Sequence, residues 1–184
     1  MNIISYLSTV FRKEELIRWL YLTPGDWDLN AKPYSDFETY QKMAQIYEAN
    51  YDYQQTELYQ KIIDQISTNG KFKHKSIVMR SKEEAEKKYF DRYVKVFNSM
   101  EKDGYLRGKG VDDGFGAIDR NGKVIKKQRG RHRLSIAKLV GIKSIPITVL
   151  YIHPEWVEKV SGKSDNYKLE DISACFKASQ ELYI

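Results

Sequence analysis

This sequence predicts an α+β fold, and three observations predict it. Helical periodicity dominates residues 36–103, strand and turn signals take over between Asp113 and Ile152, and helical spacing returns after His153. The order is helices, then strand–strand–helix–strand, then helices, which does not suit a doubly wound parallel sheet. The length of 184 residues fits a single domain with a normal core. Fourteen tyrosines and three tryptophans in a chain that is 41% hydrophobic exclude a wholly disordered protein.

Residues 11–22 have the spacing of a short amphipathic helix, followed by the breaker-rich turn Thr23-Pro24-Gly25-Asp26-Trp27-Asp28. Ser35-Asp36-Phe37-Glu38 reads as a capping box, with Ser35 as N-cap and Glu38 at N3. It would open a helix carrying Phe37, Tyr40, Met43, Ala44 and Tyr47 at helical spacing. A second helix is expected from Tyr53 to Ile66, with Leu58, Ile62 and Ile66 on one face and Asn69-Gly70 as its stop. Ser81-Lys82-Glu83-Glu84 is a second capping box, opening a long helix that ends at Gly104. The stretch from Phe115 to Ile125 reads as a hairpin turning at Asn121-Gly122, a strong two-residue turn signal. A helix is expected over Arg131–Val140, closed by Gly141. A β-branched strand over Ile145–Ile152 and helices over 154–161 and 168–180 complete the order. There is no internal repeat and no low-complexity tract.

One cysteine excludes a disulfide framework and a cysteine-rich zinc site. Cys175 sits in an amphipathic stretch and reads as a core filler. No apolar run approaches the roughly 20 residues needed to span a bilayer. The apolar N-terminus, Met1–Phe11, lacks the basic region and cleavage motif of a secretory signal. A soluble, cytoplasmic protein is the expectation.

Charge is unevenly distributed. Residues 1–70 hold 6 Lys/Arg against 10 Asp/Glu, residues 71–143 hold 21 against 9, and residues 144–184 hold 4 against 6. A basic middle of net +12 between acidic flanks suggests an anionic partner: a nucleotide, a phosphorylated metabolite or nucleic acid. The sharpest local signal lies there, in Gln128-Arg129-Gly130-Arg131-His132-Arg133. A strand leads to Gly130 and a helix starts just after it, where unpaired N–H groups and the helix dipole favour an anion. Cations in a first helical turn oppose that dipole, so this run is costly unless an anion neutralises it. Gly130 permits close backbone approach, Arg131 and Arg133 offer bidentate phosphate geometry, and His132 can donate a hydrogen bond or carry a proton.

Gly130-Arg131-His132-Arg133-Leu134-Ser135-Ile136-Ala137-Lys138-Leu139-Val140-Gly141-Ile142, followed by Ile145-Pro146-Ile147-Thr148-Val149, resembles the ParB/sulfiredoxin-like superfamily. Ser99–Leu106 looks like the helix end before the hairpin in ParB-type domains, and Leu22–Asp28 like a first strand and its turn. The resemblance implies a core of residues 1–35 and 96–153, a helical insertion over 36–95 and C-terminal helices over 154–184. Sulfiredoxins carry a cysteine where this chain has Arg131, so sulfinic acid reduction is not expected. Partition clamps need further domains, and only about 30 residues follow Ile152. Gly130-Arg131-His132-Arg133 is nearest in type to the free-serine kinase branch, which implies binding of ATP or another nucleoside triphosphate.

A kinase also needs a metal ion and a carboxylate near the acceptor hydroxyl. Asp26 and Asp28 flank Trp27, and either could hold Mg²⁺ or act as base while Trp27 stacks on a ring; a turn with Trp27 in the core is the alternative. Asp119, Arg129 and His153 complete a possible substrate rim, although Asp119 also suits a turn and His153 a cap. His74, among lysines, reads as surface. Three scattered histidines do not have zinc-site spacing, and neither common Gly-rich nucleotide fingerprint is present.

The leading expectation is a nucleotide-dependent phosphotransferase acting on a small-molecule acceptor, or a nucleoside triphosphatase. The alternatives are a nucleic-acid-binding or nuclease-like ParB-type domain, and a non-catalytic module that binds a phosphorylated ligand. In the last, residues 36–95 would offer a protein-partner surface.

Overall fold

The computed structural model describes residues 21–106 and 114–181. Most of the helix expected over 11–22, and the acidic pair Asp112 and Asp113, lie outside the described residues. The class is mixed α+β, with one sheet of two strands and one of three. The chain forms two compact units. A helical unit takes Pro33–Val111 and Gly130–Ile145; a sheet unit takes Met1–Lys32, Asp112–Arg129 and Pro146–Ile184.

The helical unit contains α1 (Glu38–Glu48), α2 (Glu57–Asn69), β1 (Phe72–His74), β2 (Ile77–Met79), α3 (Lys82–Ala85), a π turn over Glu86–Phe90, α4 (Asp91–Asp103) and, later in the chain, α5 (Arg131–Leu139). The expected capping box at Ser35 does not form. Tyr34–Asp36 is a 3-10 turn, the hydroxyl of Ser35 donates to Asp36, and α1 starts after Phe37 with no side-chain cap. Thr56 caps α2 by accepting the Tyr59 N–H at 3.1 Å, and Gly70 ends it in the left-handed region. Ser81 does cap α3, accepting from the Glu84 N–H, and Gly104 ends α4. The hairpin β1–β2 was not expected. Its six paired residues are too few to rise above the lysine-rich composition around them.

Met43, Ile46, Ile62, Phe90 and Phe97 share one core with Ile136 and Ala137. That shared core sets the unit boundary: α5 packs on α1 and α4 and thus belongs with the helices. The units therefore divide the chain at different places from the expected core of 1–35 and 96–153 and insertion of 36–95.

The sheet unit holds β3 (Phe115–Ile118), β4 (Val124–Lys126), β5 (Thr148–Ile152), α6 (Pro154–Ser161) and α7 (Leu169–Glu181). Strand order is β4-β3-β5, with β3 antiparallel to β4 and parallel to β5. Leu22 adds a single parallel bridge to Ile152. Ile118, Ile152, Val157, Ile172 and Cys175 form its core, so Cys175 is buried as expected, and burial raises its thiol pKa to about 11. The β3–β4 turn is longer than the expected two-residue Asn-Gly turn. Asp119 and Lys123 pair across a loop of Arg120, Asn121 and Gly122, and only Gly122 has a positive φ, of 82°. The Asp119 carboxylate fixes this form by accepting the N–H groups of Asn121 at 2.8 Å and Lys123 at 2.7 Å. Asp119 is thus a turn residue. Among the described residues no helix is long and apolar enough to cross a membrane.

Candidate functional site

The chain enters α5 through two consecutive residues with positive φ, Arg129 at 50° and Gly130 at 65°. That conformation is uncommon for a side chain such as arginine, and glycine adopts it freely. The first bond inside α5 is from the Leu134 N–H to Gly130 O at 3.0 Å, so the N–H groups of Arg131, His132 and Arg133 precede the intrahelical ladder. Gly130, at the N-cap position, has no side chain with which to cap this end, and the first turn holds no acidic residue. The carbonyl of Arg131 accepts the Tyr34 hydroxyl at 2.8 Å and the Ser135 hydroxyl at 2.9 Å, which anchors the first turn. Its guanidinium lies 5.7 Å from the Phe37 ring and the residue is exposed. Arg133 is half-buried, with its guanidinium 4.3 Å over Tyr105 and a donated bond of 2.7 Å to Leu106 O. Arg133 therefore also fixes the segment after α4.

His132 does not project alone. Its ring stacks on Tyr93, with centroids 4.8 Å apart and planes 9° apart, and meets the His74 ring edge-on at 5.2 Å. His74 Nε2 lies 2.9 Å from the Tyr93 hydroxyl. His74, expected at the surface, is thus a partner of the candidate site residue. The alternation of Phe72, His74, Ile77 and Met79 around Lys75-Ser76 was its one sequence signal. Burial, with the charges of Lys75, Lys42 and Arg92 adding to it, holds the His132 pKa down at about 3 and that of His74 at about 4. Both rings are neutral at pH 7.

This pair makes stability depend on pH. Folded pKa values below the unfolded one, about 6.5, mean that the unfolded chain binds more protons on acidification. The stability is fully present above pH 6.5 and falls as the pH drops towards the folded values. Full shielding would cost about 2 kcal/mol per ring at pH 5, and solvent access to both rings reduces the expected loss between pH 7.5 and 5 to about 2 kcal/mol altogether. Urea denaturation at the two pH values measures it. His132→Phe, which keeps the stack on Tyr93, should remove roughly half of that loss; equal pH dependence in the variant would refute the assignment.

The other expected site residues lie in the sheet unit. Asp28 is buried, and both its oxygens accept from Arg120: Oδ2 from the backbone N–H at 3.1 Å and from Nε at 2.9 Å, and Oδ1 from Nη2 at 2.8 Å. Arg120 holds the Asp28 carboxyl well below the usual carboxylate range, which makes it a poor proton acceptor. Asp26 is exposed and shares the same guanidinium at 3.0 Å. The expected Mg²⁺ ligands and base are thus both engaged by one arginine, and the pair does not fit a Mg²⁺ site. Among the described residues, no group of three or more His, Cys, Asp or Glu could hold a metal ion.

Trp27 donates its indole N–H to Thr23 O at 2.8 Å and packs edge-on against Tyr151, with Lys127 Nζ 4.3 Å from its ring. His153 is buried and caps α6. Its Nδ1 accepts the Glu155 N–H at 3.2 Å, which puts the ring proton on Nε2 facing Gly25 O at 3.0 Å. Arg129 lies 5.9 Å from the Phe115 ring. Gly130, Arg131, His132 and Arg133 come together in the helical unit; Asp26, Trp27, Asp28, Asp119, Arg129 and His153 belong to the sheet unit.

No family model, curated protein or solved structure matches this chain.

Proposed function

We propose that this chain binds the phosphates of a nucleotide at the start of α5, in the manner implied by its resemblance to the ParB/sulfiredoxin-like superfamily. The observation that carries the reading is the helix start itself. Gly130, in the left-handed region and with no capping side chain of its own, precedes an N-terminus that bears Arg131 and His132. Arg131 is a cation in a first helical turn and opposes the helix dipole; with a phosphate there, dipole, guanidinium and the neutral His132 N–H donor act together. A nucleoside triphosphate such as ATP is the ligand class, and phosphoryl transfer to a small-molecule acceptor is the reaction this reading favours.

A second reading has one observation in its favour. Asp28 is locked onto Arg120, so neither expected carboxylate is placed to deprotonate an acceptor. This favours a module that binds a phosphorylated ligand without turning it over.

Calorimetric titration with ATP, ADP, CTP and GTP in the presence of Mg²⁺ tests the binding. Arg131→Ala is the informative variant, because Arg133 also supports Tyr105 and Leu106. Binding by the wild type and a loss of at least about tenfold, or about 1.4 kcal/mol, in the variant is the expected result. Absence of binding by every nucleotide, or equal binding by the variant, would overturn the assignment. Retained binding with no ADP formed from ATP across an acceptor screen would select the non-catalytic reading. Binding of nucleic acid alone, falling steeply with salt, would replace both.

A further inference from the structure

Four basic groups come from three separate stretches of the helical unit, and the contacts of His132 with His74, which precedes Lys75, and with Tyr93, which follows Arg92, bring those stretches together. His74 ends β1, Lys75 begins the turn after it, Arg92 lies in the first turn of α4, and His132 lies in the first turn of α5. The rings of His74 and His132 are 5.2 Å apart. Lys75 has a φ of 56°, a conformation uncommon for a lysine that here keeps it beside His74. Neither Lys75 nor Arg92 makes an ion pair or side-chain hydrogen bond among the described residues, and both are exposed. Both His132 ring nitrogens also lack a hydrogen bond there, although a neutral imidazole offers a donor and an acceptor.

Like charges gathered around half-buried imidazoles repel one another and depress the proton affinities of His74, Lys75 and His132. That is visible in each member that shifts. Lys75 is lowered by burial and by Arg92, and the two histidines by burial and by Lys75, Lys42 and Arg92. The neighbours on the remaining elements do not offset this. Lys42 on α1 is tied to Glu38 at 2.7 Å, and the hydroxyls of Tyr89 and Tyr93 stay protonated, the latter with its pKa raised to about 12. A bound multivalent anion would reverse every one of these repulsions at once.

We infer that His74, Lys75, Arg92 and His132 form a phosphate subsite, in which the β1–β2 hairpin and the start of α4 reach the group that α5 presents. The inference rests on the phosphate-binding reading and adds to it a pair of elements outside the stretch that carries the family resemblance. The ligand chemistry is a phosphate dianion, and the terminal phosphates of a nucleotide supply it.

Inorganic pyrophosphate is the probe, with histidine ring resonances and calorimetry as readouts in about 0.15 M NaCl to suppress loose screening effects. Addition of pyrophosphate should shift the ring resonances of both His74 and His132 and raise both titration midpoints by at least about one pH unit. Lys75→Ala/Arg92→Ala should bind pyrophosphate at least about tenfold more weakly. Both residues are exposed and unpaired within the described chain, so the double variant should melt at the wild-type temperature. Unmoved histidine resonances, or equal affinity in the double variant, would overturn the subsite. Nucleotide binding lost in Arg131→Ala but unchanged in the double variant would overturn the subsite alone. Pyrophosphate binding that needs Lys75 and Arg92, in a protein that binds no nucleotide, would uphold the subsite and overturn the nucleotide reading.

Discussion

Arg120→Ala is expected to lower the melting temperature by roughly 10 °C, the largest effect of any single substitution considered for the sheet unit. The reason lies in Asp28 rather than in the arginine. The Asp28 side chain is only 3% exposed and takes both guanidinium bonds from Arg120. Truncating Arg120 leaves a buried carboxylate with backbone N–H groups alone, and removing one partner of a buried pair costs far more than the pair contributes. The same guanidinium also donates to Gly25 O at 3.2 Å and reaches Glu155 at 3.5 Å, so the turn before Trp27 loosens with it. Adding Asp28→Asn to Arg120→Ala should recover part of the loss, because the amide carries no charge. The pH dependence has the opposite origin to that of the histidines. The depressed Asp28 pKa stabilises the fold above about pH 4, and that stability is lost as the pH falls below it. A melting temperature within about 2 °C of wild type in Arg120→Ala would refute this role.

Gly122→Ala should cost about 3 kcal/mol by chemical denaturation. Two causes add. A φ of 82° is strained for any residue with a Cβ, which accounts for about 1 kcal/mol. The added methyl would also stand 2.6 Å from Trp156 Cζ2, inside a ring that is itself held. Trp156 Nε1 donates to Ser179 Oγ at 3.1 Å, so the indole cannot retreat without breaking that bond. Gly162→Ala is the control, because it has a similar φ of 69° and nothing within 4 Å of the added carbon. It should cost only the backbone share, about 1 kcal/mol. Equal costs at the two positions would show that the Trp156 contact contributes nothing.

What could be read from the sequence was mostly what neighbouring residues decide. Ser81 and Gly104 bound their helical stretch as expected because a cap acts within one turn. The helix expected over Arg131–Val140, observed over Arg131–Leu139, was legible for the same reason. Turn length at Asn121-Gly122 was misread because Asp119 adds two bonds of its own to the loop. Asp26 and Asp28 looked like a metal or base pair because their partner stands 92 residues further along the chain from Asp28. His74 looked solvated because lysines surround it in sequence, whereas Tyr93 and His132 surround it in space. The basic run Gly130–Arg133 was visible, but its hairpin neighbours were not, because only tertiary packing brings His74 to His132 on α5.

The threading of the chain through its two units bears on how it reaches this structure. Most of the helical unit comes from one continuous stretch, 33–111, so helix pairing and the β1–β2 hairpin there need only short chain closures. The sheet unit is assembled from three stretches. Leu22 meets Ile152 only after the whole of the helical unit has been passed, and β3 meets β5 only after α5 has been threaded between them. The helical unit can collapse early, leaving a gap where Ile136 and Ala137 belong until α5 arrives. Completion of the helical core waits on α5, about 90 residues beyond α1, and carries the closure entropy of that span.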